Sequence, residues 1–428
     1  MPTVSSDNRA FVRSRSSIAM RLSHSLATFG LVALSSLALA QTAMHPQDQT
    51  ILDAVRAKHA PDSRTALLDV SARRTADGVV TLEGRTDSPG ALADLRAAYY
   101  VKHIPTDVRV RLLPNRDDLH DKTWVIVRAP VTSVTDPTTG ETVSVPMGTP
   151  ARRLEDTAGR TLLQLPDGTI GEAPSDDLRA VDDTGILIWN RRDKLIVTKD
   201  GAAFAPDNPQ GDSIEFITLS RDALLRLERR EGSVWHAALP DGRLGTIAAS
   251  EVEPLADRQK REEDARRASP NDFMKRIADT AREVASAHIH SDGGAFLRDV
   301  FRRHDLIIQR DPDMLAAIYP SVAPGKRFDA FKPGDILIFQ PSEGRTRAGI
   351  SLGGSRYVAV PGNGIEDFRQ GSRQDRLVRQ RALVRAVRID PGFLNDPCLT
   401  STRSNPYWQA PVNALVPCSK RADIPQVR

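Results

Sequence analysis

The sequence predicts an α+β protein of several domains, and three observations support this prediction. The chain has 428 residues, whereas one domain usually takes roughly 100 to 200. Residues 43–118 alternate between segments of helical and strand periodicity. Further along, a seven-residue motif occurs twice in stretches rich in β-forming residues, which indicates two similar modules. We therefore expect a small α/β domain, two all-β modules and a final α+β domain.

Residues 1–40 have the three parts of a secretory signal peptide. The basic part contains Arg9, Arg13, Arg15 and Arg21. An apolar run at 26–39 follows, and residues 38–40 read Ala-Leu-Ala, a small-x-small cleavage site. The run is shorter than the roughly 20 residues of a membrane-spanning helix. We expect cleavage after Ala40 and a periplasmic or secreted mature protein, with the choice between Met1 and Met20 as start left open.

The charge of the chain gives no indication of nucleic-acid binding. The segment 1–40 contains four Arg and one Asp, so it carries three of the four formal positive charges and leaves the mature chain near +1. No later apolar stretch reaches about 18 residues, so we expect no membrane span in the mature chain. No motif indicates a cofactor.

The N-terminal domain, residues 41–118, is predicted to be small and α/β. Apolar residues recur at helical spacing over 49–59, a strand pattern covers 78–84, a helix follows at 89–100 and a strand at 108–113. The strand at 78–84 is similar to one in BON-type envelope domains. That resemblance rests on one short segment and implies an envelope location.

The repeated motif is Leu-Pro-Asp-Gly-Thr-Ile-Gly at 165–171 and Leu-Pro-Asp-Gly-Arg-Leu-Gly at 239–245. Between strands, Pro-Asp-Gly predicts a tight turn, because Pro fixes φ and Gly takes the positive φ that follows. We assign one module to 119–183 and the other to 184–256.

Both modules resemble the bacterial SH3 domain, a small β-barrel that often targets enzymes to cell-wall peptide. That family usually has an aromatic residue after the last glycine of the motif. Glu172 and Thr246 occupy these positions here. The resemblance therefore implies two SH3-like barrels without the usual aromatic platform.

Residues 257–269 are almost all charged and favour a helix. Arg and Lys are interleaved with Asp and Glu, so we expect a solvated linker helix rather than a nucleic-acid patch.

The final domain, 270–391, carries the most specific motifs. Residues 331–339, Phe-Lys-Pro-Gly-Asp-Ile-Leu-Ile-Phe, and the Ala-Gly-Ile strand that begins at 348 resemble the NlpC-type peptidases, papain-like enzymes that cut peptidoglycan stem peptides. The helix at 296–304 and Gln-Arg-Asp at 309–311 match the same family. With two SH3-like modules before it, the chain is similar to γ-D-glutamyl-L-diamino acid endopeptidases. The resemblance implies a papain-like α+β fold.

The family's catalytic positions can be carried over one at a time. The nucleophilic cysteine follows an aspartate at the start of a helix, and here Asp292 is followed by Gly293. The histidine before the Val-Gly-Ile strand corresponds to Arg347, which cannot act as a base near neutral pH. The third polar residue corresponds to Ala359. The triad is therefore degenerate, which favours a non-catalytic protein.

A degenerate groove can still bind peptide, and we take Asp292, Gly293, Arg347 and Tyr357 as the candidate groove. Arg347 is either a ligand for a substrate carboxylate or an ordinary surface arginine. His288 and His290 have weak metal-ligand spacing and are read as loop residues, so no metal is expected.

Three functions stay open at this point. The first is binding of a peptidoglycan stem peptide, or an envelope scaffold, without catalysis. The second is regulation of another envelope protein through the groove. The third is an active cell-wall endopeptidase that uses other residues.

Residues 392–428 form a Pro-rich tail without a periodic pattern. The chain's two cysteines, Cys398 and Cys418, lie in it. In an oxidising compartment they predict one disulfide, which we expect to hold a segment that lacks regular structure.

Overall fold

The structure is a computed structural model that describes most of the chain after residue 43. The described residues are 44–207, 215–286, 293–309, 312–325, 328–341, 347–360, 365–367, 381–392, 396 and 398–411. The predicted signal peptide lies outside them. Helices and five sheets of three, seven, seven, two and five strands form this part of the chain, which confirms the α+β class. In these ranges, no helix is long and apolar enough to cross a membrane.

The N-terminal domain packs two helices on a three-stranded sheet. Its elements are α1 (Pro46–His59), β1 (Leu68–Arg74), β2 (Val80–Thr86), α2 (Pro89–Val101) and β3 (Thr106–Leu112). The sheet order is β1-β2-β3, with β1 antiparallel and β3 parallel to β2. Ser88 caps α2 by accepting a hydrogen bond from the Ala91 amide, and Pro89 opens the helix. Both predicted helices and both predicted strands are present, whereas β1 was not predicted.

Two seven-stranded sheets follow, separated by α3 (Asp183–Arg191). The first contains β4 (Trp124–Val127), β5 (Val131–Thr135), β6 (Thr142–Pro146), β7 (Pro150–Thr157), β8 (Arg160–Gln164), β9 (Ile170–Pro174) and β10 (Leu178–Val181). The second contains β11 (Lys194–Val197), β12 (Ala202–Pro206), β13 (Ile217–Leu219), β14 (Leu224–Glu231), β15 (Val234–Ala238), β16 (Leu244–Ala248) and β17 (Val252–Pro254). If the strands of each sheet are numbered 1 to 7 along the chain, both sheets have the order 3-2-6-5-4-1-7. The two modules thus share one topology, and their assignment as SH3 barrels stays a prediction.

The repeated turns have the same geometry in both modules. Gly168 has φ 88° and Gly242 has φ 96°, which confirms the predicted positive φ. In the first turn the Asp167 carboxylate accepts a hydrogen bond from the Thr169 amide at 3.0 Å. In the second turn Asp241 accepts the equivalent bond from Arg243 at 3.1 Å. The turns differ in environment, because Asp167 is buried whereas the second turn lies at the surface.

The predicted solvated linker helix is a packed helix. It is α4 (Leu255–Ala268), and its residues Arg258, Glu262 and Arg266 are buried. They are spaced by four residues and therefore lie on one face. The prediction of a solvated helix was wrong because a buried face made of paired charges has no apolar periodicity.

The buried face of α4 carries a network of ion pairs. The guanidinium of Arg258 donates to Asp222 at 2.9 Å, and the Arg302 Nε lies 3.0 Å from the other oxygen of Asp222. Glu262 lies 3.3 Å from the His304 Nδ1 and 3.1 Å from an Arg276 nitrogen. Burial raises the pKa of Glu262, but these partners outweigh that effect and lower it to about 2. The network ties the second module to the C-terminal domain.

The C-terminal domain packs helices against a five-stranded sheet. Its elements are α5 (Pro270–Ser286), α6 (Gly293–Arg302), β18 (Ile307–Ile308), α7 (Pro312–Ile318), β19 (Pro333–Pro341), β20 (Arg347–Gly353), β21 (Arg356–Ala359), β22 (Ile365–Asp367) and β23 (Arg381–Val387). The sheet order is β22-β21-β20-β19-β23. Apolar side chains of α5 and α6 form one core with Ile336, Ile350 and Val358 of the sheet.

The described part of the tail is integrated into the fold, contrary to the prediction that it lacks regular structure. Its strand β24 (Leu399–Thr400) pairs with β18. Tyr407 is buried, its hydroxyl donates to Gln164 at 3.0 Å, and its ring lies 5.9 Å from that of Trp124. Cys398 is also buried. Cys418 lies outside the described residues, so the disulfide stays a prediction.

Removing the carboxylate of Asp222 should destabilise the protein strongly. The variant Asp222→Ala leaves Arg258 without its carboxylate partner at a site where its side chain is 6% exposed. Breaking a buried pair in this way typically costs about 3 to 5 kcal/mol. Denaturant unfolding measures the change. As a control, Asp264→Ala removes an exposed pair with Lys260 and should leave the midpoint nearly unchanged, and an equal effect of both variants would contradict the role of the network.

Asp305 should make stability fall as pH rises from about 4 to about 6. Burial raises its pKa to about 6, although hydrogen bonds from Thr402 and the charge of Arg258 oppose the shift. The unfolded carboxyl titrates near about 3.9, so in this window the native state holds a proton that the unfolded state has released. Stability then decreases with pH, by about 1 to 3 kcal/mol over the window.

The matched variant is Asp305→Asn, which keeps an acceptor for Thr402 but does not titrate. Unfolding free energies of both proteins, measured across this pH range, give a difference in which the other titrating groups cancel. The native protein should lose stability relative to the variant as pH rises. A constant difference would contradict the prediction.

Candidate functional site

The three positions that align with the family's triad lie on α6, β20 and β21. Gly293 is the first residue of α6, and Arg347 is the first residue of β20. Ala359, the last residue of β21, lies opposite Gly349 of β20 in antiparallel register. The fold brings Gly293 against Ala348, the residue after Arg347, whereas Ala359 packs with Tyr357 on the other face of the sheet. Asp292 lies outside the described residues.

The position of Gly293 is closed by backbone atoms. A Cβ atom added to Gly293 would lie 2.5 Å from the amide nitrogen of Ala348 and 3.2 Å from its Cα and Cβ. A flexible side chain could change its conformation to relieve such a clash, but backbone atoms of a strand cannot. A helix N-terminus is a place where a thiol is readily ionised, but here it holds no side chain and has no space for one.

The first seven-stranded module covers the flank of α6. Ala295 is buried in the core of that module, together with Val145 and Leu165. One turn later, Arg298 donates to the carbonyl oxygen of Ser144 at 3.1 Å. Sequence reasoning did not single out Ala295 or Ala348, because small apolar residues carry no chemical signal. Their effect is seen only when the helix, sheet and module are assembled.

Arg347 has a partly exposed side chain, and it directly precedes Ala348, whose backbone closes the position of Gly293. The backbone of Arg347 pairs with Phe339 of β19. Among the described residues, the guanidinium makes no hydrogen bond and no ion pair. A guanidinium without an internal partner has all of its donors available for a ligand carboxylate.

Tyr357 does not line a groove. The side chain is fully buried, its hydroxyl donates to Glu366 at 2.7 Å, and its ring lies 5.4 Å from that of Phe339. Side chains alternate between the faces of a strand, and Tyr357 points to the face of the sheet opposite α5 and α6. The prediction of Tyr357 as a groove residue was wrong because the sequence motif gives the strand but not the face.

Metal ligands are not grouped in the part of the chain that the structure describes. No set of three or more His, Cys, Asp or Glu side chains is arranged there to hold an ion. His288 and His290 lie outside it.

Comparisons with known proteins find similarity only at the level of structure. No protein-family model matches the chain, and no curated protein matches it. An NlpC/P60 family protein from Bacillus cereus ATCC 10987 is similar at 12% identity with a TM-score of 0.45, covering 63% of this chain and 100% of that one. An NlpC/P60 endopeptidase from Photobacterium damselae subsp. piscicida is similar at 13% identity with a TM-score of 0.39, covering 64% of this chain and 72% of that one. NlpC2 from Trichomonas vaginalis is similar at 12% identity with a TM-score of 0.27, covering 62% of this chain and 97% of that one.

Adding a side chain at Gly293 should destabilise the protein. In Gly293→Ala the new methyl group meets the backbone of Ala348, and overpacking of this kind typically costs about 1 to 3 kcal/mol. The control is Gly90→Ala in the first turn of α2, where the nearest atom belongs to the His59 side chain at 3.1 Å.

Thermal or denaturant unfolding compares the two variants. Gly90→Ala should be neutral or stabilising, because Ala favours a helix over Gly. A Gly293→Ala variant as stable as the native protein would show that the position is open.

Proposed function

We propose that the chain is an exported, non-catalytic NlpC-like protein that binds a peptidoglycan stem peptide in the periplasm. The observation that carries the proposal is the closed position of Gly293 against Ala348. The sequence motifs of 331–339 and the strand from 348 supply the link to the peptidase family. The signal-like segment 1–40 supports export, and Cys398 with Cys418 fits an oxidising compartment.

The residues at the triad positions do not support hydrolysis. Covalent catalysis by a cysteine peptidase needs a thiol, a neighbouring base and a group that orients the base. Gly293, Arg347 and Ala359 supply none of the three. Arg347 stays protonated near neutral pH, so it cannot accept a proton from a nucleophile.

Peptide binding is supported by the guanidinium of Arg347, which has no hydrogen-bond or ion-pair partner among the described residues. Stem peptides of the type that the family cleaves carry carboxylates on D-glutamate and diaminopimelate. A planar guanidinium suits such groups because it donates two parallel hydrogen bonds. Since no described residue satisfies these donors, a peptide carboxylate is a fitting partner.

Replacing Arg347 should weaken binding of a tripeptide or tetrapeptide stem. Loss of a charge-assisted hydrogen bond costs roughly 1.5 to 3 kcal/mol, so the dissociation constant of Arg347→Ala should rise about tenfold or more. Isothermal titration calorimetry on the native protein and the variant measures the change. Arg356→Ala is the matched control, because Arg356 is an exposed arginine on the neighbouring strand, and it should bind like the native protein.

The protein should leave the same peptides uncleaved. Turnover that iodoacetamide abolishes would show an active peptidase and overturn the proposal. Equal affinities of the native protein and Arg347→Ala, or no binding by either, would favour a groove that docks another envelope protein.

A further inference from the structure

A cavity lies apart from Gly293, Arg347 and Ala359. It has a volume of about 180 Å³ and is lined by residues of the N-terminal domain, the first seven-stranded module, β18, α7 and the tail. This volume is far above the roughly 10 to 15 Å³ that one water needs and below the roughly 300 to 1,000 Å³ of sites for drug-sized ligands. Pro61 and Pro89 at its rim are exposed. The cavity therefore suits a small ligand that enters from solvent.

Arg152 supplies a positive charge to this cavity. Its guanidinium makes one hydrogen bond, to the carbonyl oxygen of Leu113 at 3.3 Å. Within the described residues no carboxylate forms an ion pair with it. The adjacent Arg153 differs, because its Nε and Nη2 atoms donate to the two carboxylate oxygens of Asp156. Arg152 thus has free donors in a concave site, which is the arrangement that binds an anion.

Asp87 supplies the opposite charge. One of its carboxylate oxygens accepts a hydrogen bond from the Leu67 amide at 2.8 Å, and the other lies 3.4 Å from the Gln164 amide nitrogen. Burial raises the pKa of Asp87, and the positive charge of Arg152 opposes that shift without forming an ion pair with the carboxylate. The two charges line the same cavity and form no ion pair with each other, so a ligand can pair with each of them.

The neutral polar groups of the cavity are fixed by the fold. Gln164 accepts a hydrogen bond from the buried Tyr407 hydroxyl at 3.0 Å and donates to the carbonyl oxygen of Thr65 at 3.1 Å. Asn405 donates to the carbonyl oxygen of Pro166 at 3.1 Å and to the Thr400 hydroxyl at 2.9 Å. Both amides already use their donors inside the protein, so they fix the wall of the cavity and leave the charges of a ligand to Arg152 and Asp87.

We propose that this cavity binds a free amino acid, with the ligand carboxylate on Arg152 and the ligand ammonium on Asp87. The charges of both signs, the lack of an ion pair between them and the volume of the cavity point to a compact zwitterion. The residues that line this cavity do not include Gly293, Arg347 or Ala359. It therefore does not depend on the stem-peptide proposal.

The test is titration of the mature protein with the L and D forms of alanine, glutamate and lysine, and with glycine. We expect saturable binding of at least one of these with a dissociation constant below about 1 mM. N-acetylalanine and alanine amide, each of which lacks one charge, should bind more weakly than alanine. Calorimetry or ligand-observed NMR gives the constants.

Two variants test the two charges independently. Arg152→Gln and Asp87→Asn should each raise the dissociation constant about tenfold or more. Unfolding curves show whether each variant is folded, and one folded variant is sufficient for the test. Arg153→Gln is the matched control on the same strand, and Arg347→Ala should also leave amino-acid binding unchanged.

Two results would overturn the proposal. One is the absence of saturation for every amino acid up to about 10 mM. The other is binding that Arg152→Gln and Asp87→Asn do not weaken. Loss of binding in Arg347→Ala would instead place the amino acid at the stem-peptide site, so the two proposals fail separately.

Discussion

The carboxylate of Asp222 is the point on which the arrangement of the C-terminal half depends. It receives Arg258 from α4 and Arg302 from α6, and thereby joins two helices to the turn before β14 of the second module. Buried charges are costly unless they are paired, so an alternative packing of these helices would leave charges unsatisfied. The energetic penalty for misplacement, rather than the net strength of the pairs, fixes the position of α6.

The position of α6 determines what surrounds Gly293 and Ala295. With its C-terminal end held by Asp222, the helix starts at Gly293 directly against the Ala348 backbone. Its flank is then covered by the first module through Ala295. A larger residue at 293 or 295 would push the helix away from both. Positions 293 and 295 therefore require small residues, because α6 packs closely against β20 on one side and against the first module on the other.

The sequence predicted those features that depend on neighbouring residues in the chain. It did not predict those that depend on packing between distant segments. Positive φ at Gly168 and Gly242 followed from turn chemistry, and the helix at α6 was expected from the resemblance of residues 296–304 to the peptidase family. The buried face of α4 was not predictable from hydrophobic spacing, because its buried residues are charged. Nor was the packing of Tyr407 between distant strands, because its partners Gln164 and Trp124 lie more than 200 residues earlier in the chain.

The arginines of the chain divide into two kinds, and the division separates support from recognition. Arg258 and Arg302 have carboxylate partners inside the protein, so their donors are committed to holding domains together. Arg152 and Arg347 have no such partner in the described part of the chain. Both sit on strands whose positions are fixed by a sheet. A cation on a rigid strand without an internal counter-charge keeps its geometry while its donors stay available, and this is the condition under which a guanidinium selects a carboxylate ligand.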